Sequence, residues 1–219
     1  MPSFSVPPSG SDVWIFAGSS TGGSAKAMHW DGNQWLDVPL PAGVYPDDAV
    51  VLGPSDVWVL GPSGCAGSAA SGGCTTTIYH WDGAAWSPFT VPILADELSG
   101  AALSGSAPGN VWVGTWVPTK PGQPGRLLHW DGHSWHQITA PRDSVTETPL
   151  VTDGHSGVWM GPWTHWTGTR WVSVQAGSSL ACGLDDFARV PGTATMWGGG
   201  TTLRGSAFNA VICAYPTVP

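Results

Sequence analysis

Asp56-Val57-Trp58, followed after a Gly- and Ser-rich stretch by His80-Trp81-Asp82-Gly83-Ala84-Ala85-Trp86, is the segment that decides how this chain folds. Val and Trp suit a pleated, half-buried strand, and Asp-Gly between apolar runs marks a tight hairpin. The segment therefore reads as one strand beginning at Asp56, a second ending at Trp81, a two-residue Asp-Gly turn, and a third opening at Trp86.

The same order recurs on both sides of it. Upstream stand Asp12-Val13-Trp14, His29-Trp30-Asp31-Gly32 and Trp35; downstream stand Asn110-Val111-Trp112, His129-Trp130-Asp131-Gly132 and Trp135. A fourth copy departs from the pattern, with Gly157-Val158-Trp159, His165-Trp166-Thr167-Gly168 and Trp171. The fifth reads as Thr195-Met196-Trp197, Leu203-Arg204-Gly205 and Phe208. A short run of small or aliphatic residues precedes each Val-Trp, at 4–7, 49–52, 101–103, 150–151 and 187–190. Such runs suit an innermost strand where sheets converge on an axis.

Self-similarity at this period signals blades or solenoid units, and four strands per copy select blades. The expected fold is all-β: a five-bladed β-propeller with four antiparallel strands per blade, a single domain over 1–219. Its blades fall at about 1–41, 42–92, 93–141, 142–176 and 177–219. On this alignment the chain starts on an inner strand and ends on an outer one at 207–214, so closure rests on packing between blade faces. From the last Trp of one copy to the first of the next the gap is 23 to 26 residues, whereas inside a copy it ranges from 11 to 28. The variation thus sits between the second and third strands, in loops that share one face with the blade-to-blade connections. Variable loops on a rigid scaffold are where binding function concentrates.

The motifs resemble a bacterial extracytoplasmic repeat family whose blades carry Asp-Val-Trp and His-Trp-Asp-Gly-x-x-Trp, kelch-like in style. The resemblance covers nearly the whole chain and is most specific in the first three copies. It implies a propeller in a secreted or surface setting, with no agreed activity. The Trp-Asp-Gly-x-x-Trp strand pair is also similar to bacterial fucose-binding propeller lectins, which implies sugar pockets between blades.

Composition narrows the function. Seven Lys plus Arg against fifteen Asp plus Glu give a net charge of −8, a surface that repels phosphate backbones and argues against nucleic acid. No apolar run approaches the ~18 residues of a membrane span, and no basic segment followed by an apolar one opens the chain. Four cysteines favour an oxidising, extracytoplasmic setting. Cys65 and Cys74 bracket a loop with no hydrophobic content, and Cys182 and Cys213 form the second expected pair. Each disulfide would contribute roughly 3 kcal/mol by the chain-entropy estimate.

All but two of the fifteen Trp stand at repeat positions, where they read as packing between neighbouring sheets. The His at position 29 and its counterparts read as recurrent hydrogen-bonding strand residues. Trp116 and Trp163 are the exceptions, each four residues after a Val-Trp, near the mouth of the variable loops. An exposed aromatic pair there would stack on a sugar ring or an apolar side chain. Acids recur in the connections into the inner strands, and Asp48, Glu97, Glu147 and Asp186 are the candidates to ring the channel entrance, with Arg189 beside the last inner strand. They would contact a ligand or hold Ca²⁺, the one cofactor the sequence suggests. No Gly-x-Ser-x-Gly, phosphate loop or His-Glu-x-x-His is present, and no two acids pair at a definable spacing. The expectation is a monomeric binding module for a glycan or a protein. The alternatives are a glycoside hydrolase with axial carboxylates, or a scaffold without a small ligand.

Overall fold

The computed structural model describes residues 3–5, 11–18, 25–63, 75–89, 99–116, 126–141, 150–161, 164–173, 183–190, 193, 195–204 and 207–215. Among the described residues nineteen strands form five antiparallel sheets in chain order. The first holds β1 (Ser3–Ser5), β2 (Val13–Ala17), β3 (Lys26–Trp30) and β4 (Trp35–Val38). The second holds β5 (Asp48–Gly53), β6 (Asp56–Ser63), β7 (Thr75–Trp81) and β8 (Trp86–Phe89). The third holds β9 (Ser99–Ala107), β10 (Asn110–Trp116), β11 (Arg126–Trp130) and β12 (Trp135–Thr139). The fourth holds β13 (Leu150–Thr152), β14 (Val158–Met160), β15 (Thr164–Trp166) and β16 (Trp171–Ser173), and the fifth β17 (Gly183–Arg189), β18 (Met196–Arg204) and β19 (Ala207–Tyr215). The first strands of consecutive sheets lie beside one another, β1 by β5, β5 by β9, β9 by β13 and β13 by β17, and so line the inner side of the array. Among the described residues no helix is long and apolar enough to cross a membrane.

Burial explains why Trp recurs at this period. Alternation along β2 sends Trp14 and Phe16 to the face that meets the second sheet, where Trp14 packs edge-on against Trp81 and Trp86 at 6.2 and 6.4 Å. Trp58 repeats this against Trp130 and Trp135 of the third sheet, and Trp112 clusters with Trp166 and Trp171 of the fourth. Trp14, Trp58 and Trp112 are at most 1% exposed. Each of these sheets therefore presents its Val-Trp indole to the paired indoles of the next.

A polar unit holds each Trp in place. Trp14 Nε1 and His29 Nε2 both donate to Asp12 Oδ1, at 3.1 and 2.7 Å, and the two rings stack at 4.4 Å. Asp56 receives Trp58 and His80 in the same way, both at 2.8 Å. In the third sheet Asn110 Oδ1 takes the role, accepting from Trp112 at 2.7 Å and His129 at 3.0 Å. The fourth sheet explains its own departure from the pattern: Asp153, from the turn before β14, accepts from His165 Nε2 at 3.0 Å. A Cβ at Gly157 would collide with that carboxylate and with the Trp166 carbonyl, so only glycine fits where the first three copies carry Asp or Asn.

Three expectations need correction. The Asp-Gly connections are four residues long, not two, because Trp30 pairs with Trp35, Trp81 with Trp86 and Trp130 with Trp135. Asp31 Oδ1 accepts from the amides of Asn33 and Gln34, and Gly32 at φ +96° completes the turn. Thr167 substitutes for the Asp in the fourth copy through its hydroxyl and the amide of Arg170, at 3.3 Å.

The second correction concerns the fifth sheet, which has three strands among the described residues rather than four. The strand that ends at Leu203 and Arg204 is β18 itself, which begins at Met196 and returns as β19 with Arg204 paired to Ala207, and Trp197 pairs with Ala214 as Trp14 pairs with His29. Residues 207–215 are therefore the third strand of the sheet and, among the described residues, its outer one. The third correction is to closure by the same face packing that joins the interior sheets. Trp197 is 49% exposed, and Trp35 on the far side of the first sheet is 43% exposed.

Candidate functional site

Antiparallel order gives the array two ends. One carries the turns from first to second strand together with the Asp-Gly turns. The other, the loop end, carries the loops between second and third strands and the sheet-to-sheet connections. At the loop end residues 39–47 cross from β4 to β5 along the edge of β6. A tight turn, Val44 N donating to Pro41 O at 3.2 Å with Gly43 at φ +78°, aims the segment inward. Tyr45 N then donates to Pro62 O at 3.1 Å and Asp47 N to Leu60 O at 2.9 Å. The approach is so close that a Cβ at Gly61 would meet the Tyr45 carbonyl.

This clipping leaves a crevice of about 100 Å³ lined by Ala25 and residues 40–45. It lies where the second-to-third loop of the first sheet meets the connection into the second, with buried Val44 and half-buried Tyr45 in its lining. Enclosed ligand sites usually occupy roughly 300–1,000 Å³, so a crevice of this size seats one edge of a ligand and leaves the rest to the loops. Sequence reasoning missed it, because the segment carries no repeat motif. Pro41 and Gly43 were the signal, as a turn that folds the connection back on its own sheet.

Among the residues singled out from sequence, Asp48 and Arg189 have described side chains, and they lie at opposite ends of the array. Asp48, at the loop end of β5, is engaged by backbone: Oδ1 accepts from Ala49 N at 2.8 Å and Oδ2 from Leu103 N at 2.7 Å. Its carboxylate straps β5 to β9. Ser104 Oγ makes a comparable strap from β9 to β13, accepting from Thr152 N at 3.0 Å. The expected place of Arg189 is corrected, because it closes β17 at the end opposite the loops. Its Nη1 donates to Thr193 O at 3.1 Å, and its guanidinium covers Gly154 of the fourth sheet, where a Cβ would touch it.

Trp116 ends β10 at the loop end, paired with Ser99 across a register shift. Asp186 lies in β17 beside an irregularity in its pairing with β18, and Cys213 lies in β19 opposite Gly198. Trp163, Glu97, Glu147, Cys65, Cys74 and Cys182 lie outside the described residues. Among the described residues no three His, Cys, Asp or Glu side chains gather to hold a metal ion.

Electrostatics follow the scaffold. The amides of Gln34 and Asn33 hold Asp31 below the ordinary carboxylate value, and the amides of Ala85 and Ala84 do the same for Asp82. Asp131 is held well below that range by Ser134 N, His133 N and His136. Burial pushes Asp153 upward, but hydrogen bonds from His165 and the amides of His155 and Gly157 outweigh it and leave the group lowered. Burial lowers His129, and nearby Asp131 opposes that shift. These groups serve turns and sheet packing.

No protein-family model and no curated protein matches the chain. Solved structures do resemble it. The lectin SapL1 in complex with α-methyl fucoside superposes with a TM-score of 0.56 at 14% identity, over 99% of this chain and 81% of that one. The fungal lectin of Aleuria aurantia, a six-bladed β-propeller with a fucose recognition mode, gives 0.52 at 12% identity, over 95% of this chain and 75% of that one. At these identities the likeness is one of fold. The chain is thus an all-β array of antiparallel sheets built like the blades of β-propeller lectins.

Proposed function

We propose that the chain is the ligand-recognition module of a secreted or surface protein, with five propeller blades presenting a glycan-binding loop end. The observation that carries this reading is the division of labour between the two ends. The Asp-Trp-His units and Asp-Gly turns are committed to packing, whereas the strand ends from which the loops of variable length leave, and the crevice beside Tyr45, lie at the opposite end. A rigid sheet array with adaptable loops on one side is the usual arrangement of a binding module. The two lectins whose fold it resembles are described with fucose or a fucoside, which makes a small sugar the first ligand to test.

In this reading Tyr45 offers a ring for stacking at the crevice, and Trp116 offers a second surface at the loop end of the third sheet. Glu97, Glu147 and Trp163 would add polar and aromatic contacts from the neighbouring connections and loops. The two cysteine pairs, Cys65 with Cys74 and Cys182 with Cys213, would brace those segments in an oxidising compartment.

A glycan array, followed by calorimetry with α-methyl fucoside, tests the proposal. Binding that is lost on Tyr45→Ala or Trp116→Ala, with an unchanged far-ultraviolet spectrum and melting temperature, supports it. An empty array, or binding indifferent to both substitutions, overturns it.

A further inference from the structure

All large hydrophobic side chains exposed among the described residues lie on two sheets, the first and the last. Trp197 and Ile212 share one face of the fifth sheet, since Trp197 pairs with Ala214 and Gly199 with Ile212. It is the face that in other sheets buries the Val-Trp indole: Trp14, Trp58 and Trp112 are at most 1% exposed, whereas Trp197 is 49% and Ile212 76% exposed. On the first sheet, Trp35 and Met28 lie on the face that in the second and third sheets receives the preceding Trp. There Val57, Val59, Val111 and Val113 are fully buried, while their counterparts Val13 and Ile15 are only half-buried. The two ends are thus unmatched halves of one interface that the interior of the array makes repeatedly.

We propose that this seam is a docking site for one further four-stranded sheet of the same Trp-repeat type. Its Val-Trp indole would meet Trp30 and Trp35, and its paired indoles would cover Trp197. Continuity with the interior interfaces identifies the occupant, because each uncovered face has the chemistry that another repeat sheet satisfies. The comparison agrees: 95% of this chain aligns with 75% of a six-bladed β-propeller, a fold that holds one sheet more than this chain's five. The inference rests on the fold and is independent of the sugar reading.

The test appends a second copy of residues 93–141 to the full chain through a flexible linker, with hydroxyl-radical footprinting as readout. The expected result is that Trp35, Trp197 and Ile212, reactive in the parent chain, become as protected as Trp14 and Trp58, with Tm rising by several degrees. Both effects should vanish when the appended unit carries Ala in place of its Trp112, Trp130 and Trp135. Continued reactivity with the intact unit appended would overturn the proposal. A second measurement needs no appended unit: Trp35→Cys with Trp197→Cys in the parent chain should fail to cross-link within one molecule. Efficient cross-linking would mean that the two faces meet each other, and concentration-dependent protection of the parent would mean that a second copy covers them; either result overturns the proposal.

Discussion

Replacing Asp12 by Ala should cost far more stability than replacing it by Asn. Asp12 is 6% exposed, and its Oδ1 is the acceptor for Trp14 Nε1 and His29 Nε2. Alanine leaves both donors unsatisfied. A stranded buried donor costs about 1–3 kcal/mol, and the partial exposure of His29 allows water to recover some of its share, so the expected loss is about 2–4 kcal/mol. Asparagine keeps the carbonyl oxygen, and the third sheet already works this way through Asn110, at 2.7 and 3.0 Å. Only the charge assistance to the imidazole is lost, about 1 kcal/mol or less. Urea titration followed by Trp fluorescence reads both. With a slope of about 2 kcal/mol/M, the midpoint should fall by roughly 1–2 M for Ala and by under about 0.5 M for Asn. Equal shifts for the two variants, or a negligible shift for Ala, would refute the reasoning that a shared acceptor locks each Trp-His pair.

Gly157→Ala should destabilise the fold by about 1–3 kcal/mol, because the added methyl meets Asp153 and the Trp166 carbonyl; thermal melting checks it. Asp48→Ala should lower stability by about 2–3 kcal/mol through the loss of two backbone hydrogen bonds, and leave glycan affinity unchanged, as calorimetry would show. Burial holds folded His129 below its ordinary value of 6.5, so the unfolded chain takes up the proton first as pH falls. Stability should therefore decline below about pH 6.5 until the folded imidazole also protonates, and His129→Gln should flatten that limb of a denaturation-versus-pH series. Asp153 gives a second, more acidic limb: its folded value lies below 3.8, so its contribution is present above that pH and is lost as pH falls through the folded value.

Much of the array could be read from the sequence. Strand positions β2, β6, β10 and β14 follow from Val-Trp, and β3, β7 and β11 end where His-Trp meets Asp-Gly. The periodic Trp are legible because one side chain at one sheet position solves the same packing problem each time. Departures from the repeat were harder, since their compensation lies outside the motif. Asp153 restores the acceptor lost at Gly157 from four residues upstream, a substitution visible only when the turn brings it back. In the fifth copy Leu203-Arg204-Gly205 mimics the spacing of His-Trp-Asp, but the strand that ends at Arg204 is the one that begins at Met196, so the spacing marks the end of the second strand rather than the third.

Site residues were the least legible. Asp48 has the type and position of a ligand carboxylate, yet the amide of Leu103 reaches it first, and only the neighbouring sheet reveals that. Arg189 was placed by its nearness to an inner strand, but strand direction puts it at the opposite end from the loops. The crevice beside Tyr45 depends on a connection that turns back to pair with β6, which no period encodes.

A titration of the labelled protein with α-methyl fucoside, followed by backbone amide and indole resonances, addresses recognition at the loop end most directly. Shifts should centre on Ala25, Val44, Tyr45 and Trp116 and leave the indoles of Trp14, Trp58 and Trp112 unmoved. Shifts centred on the Asp-Gly turns, or on those three buried indoles, would contradict it.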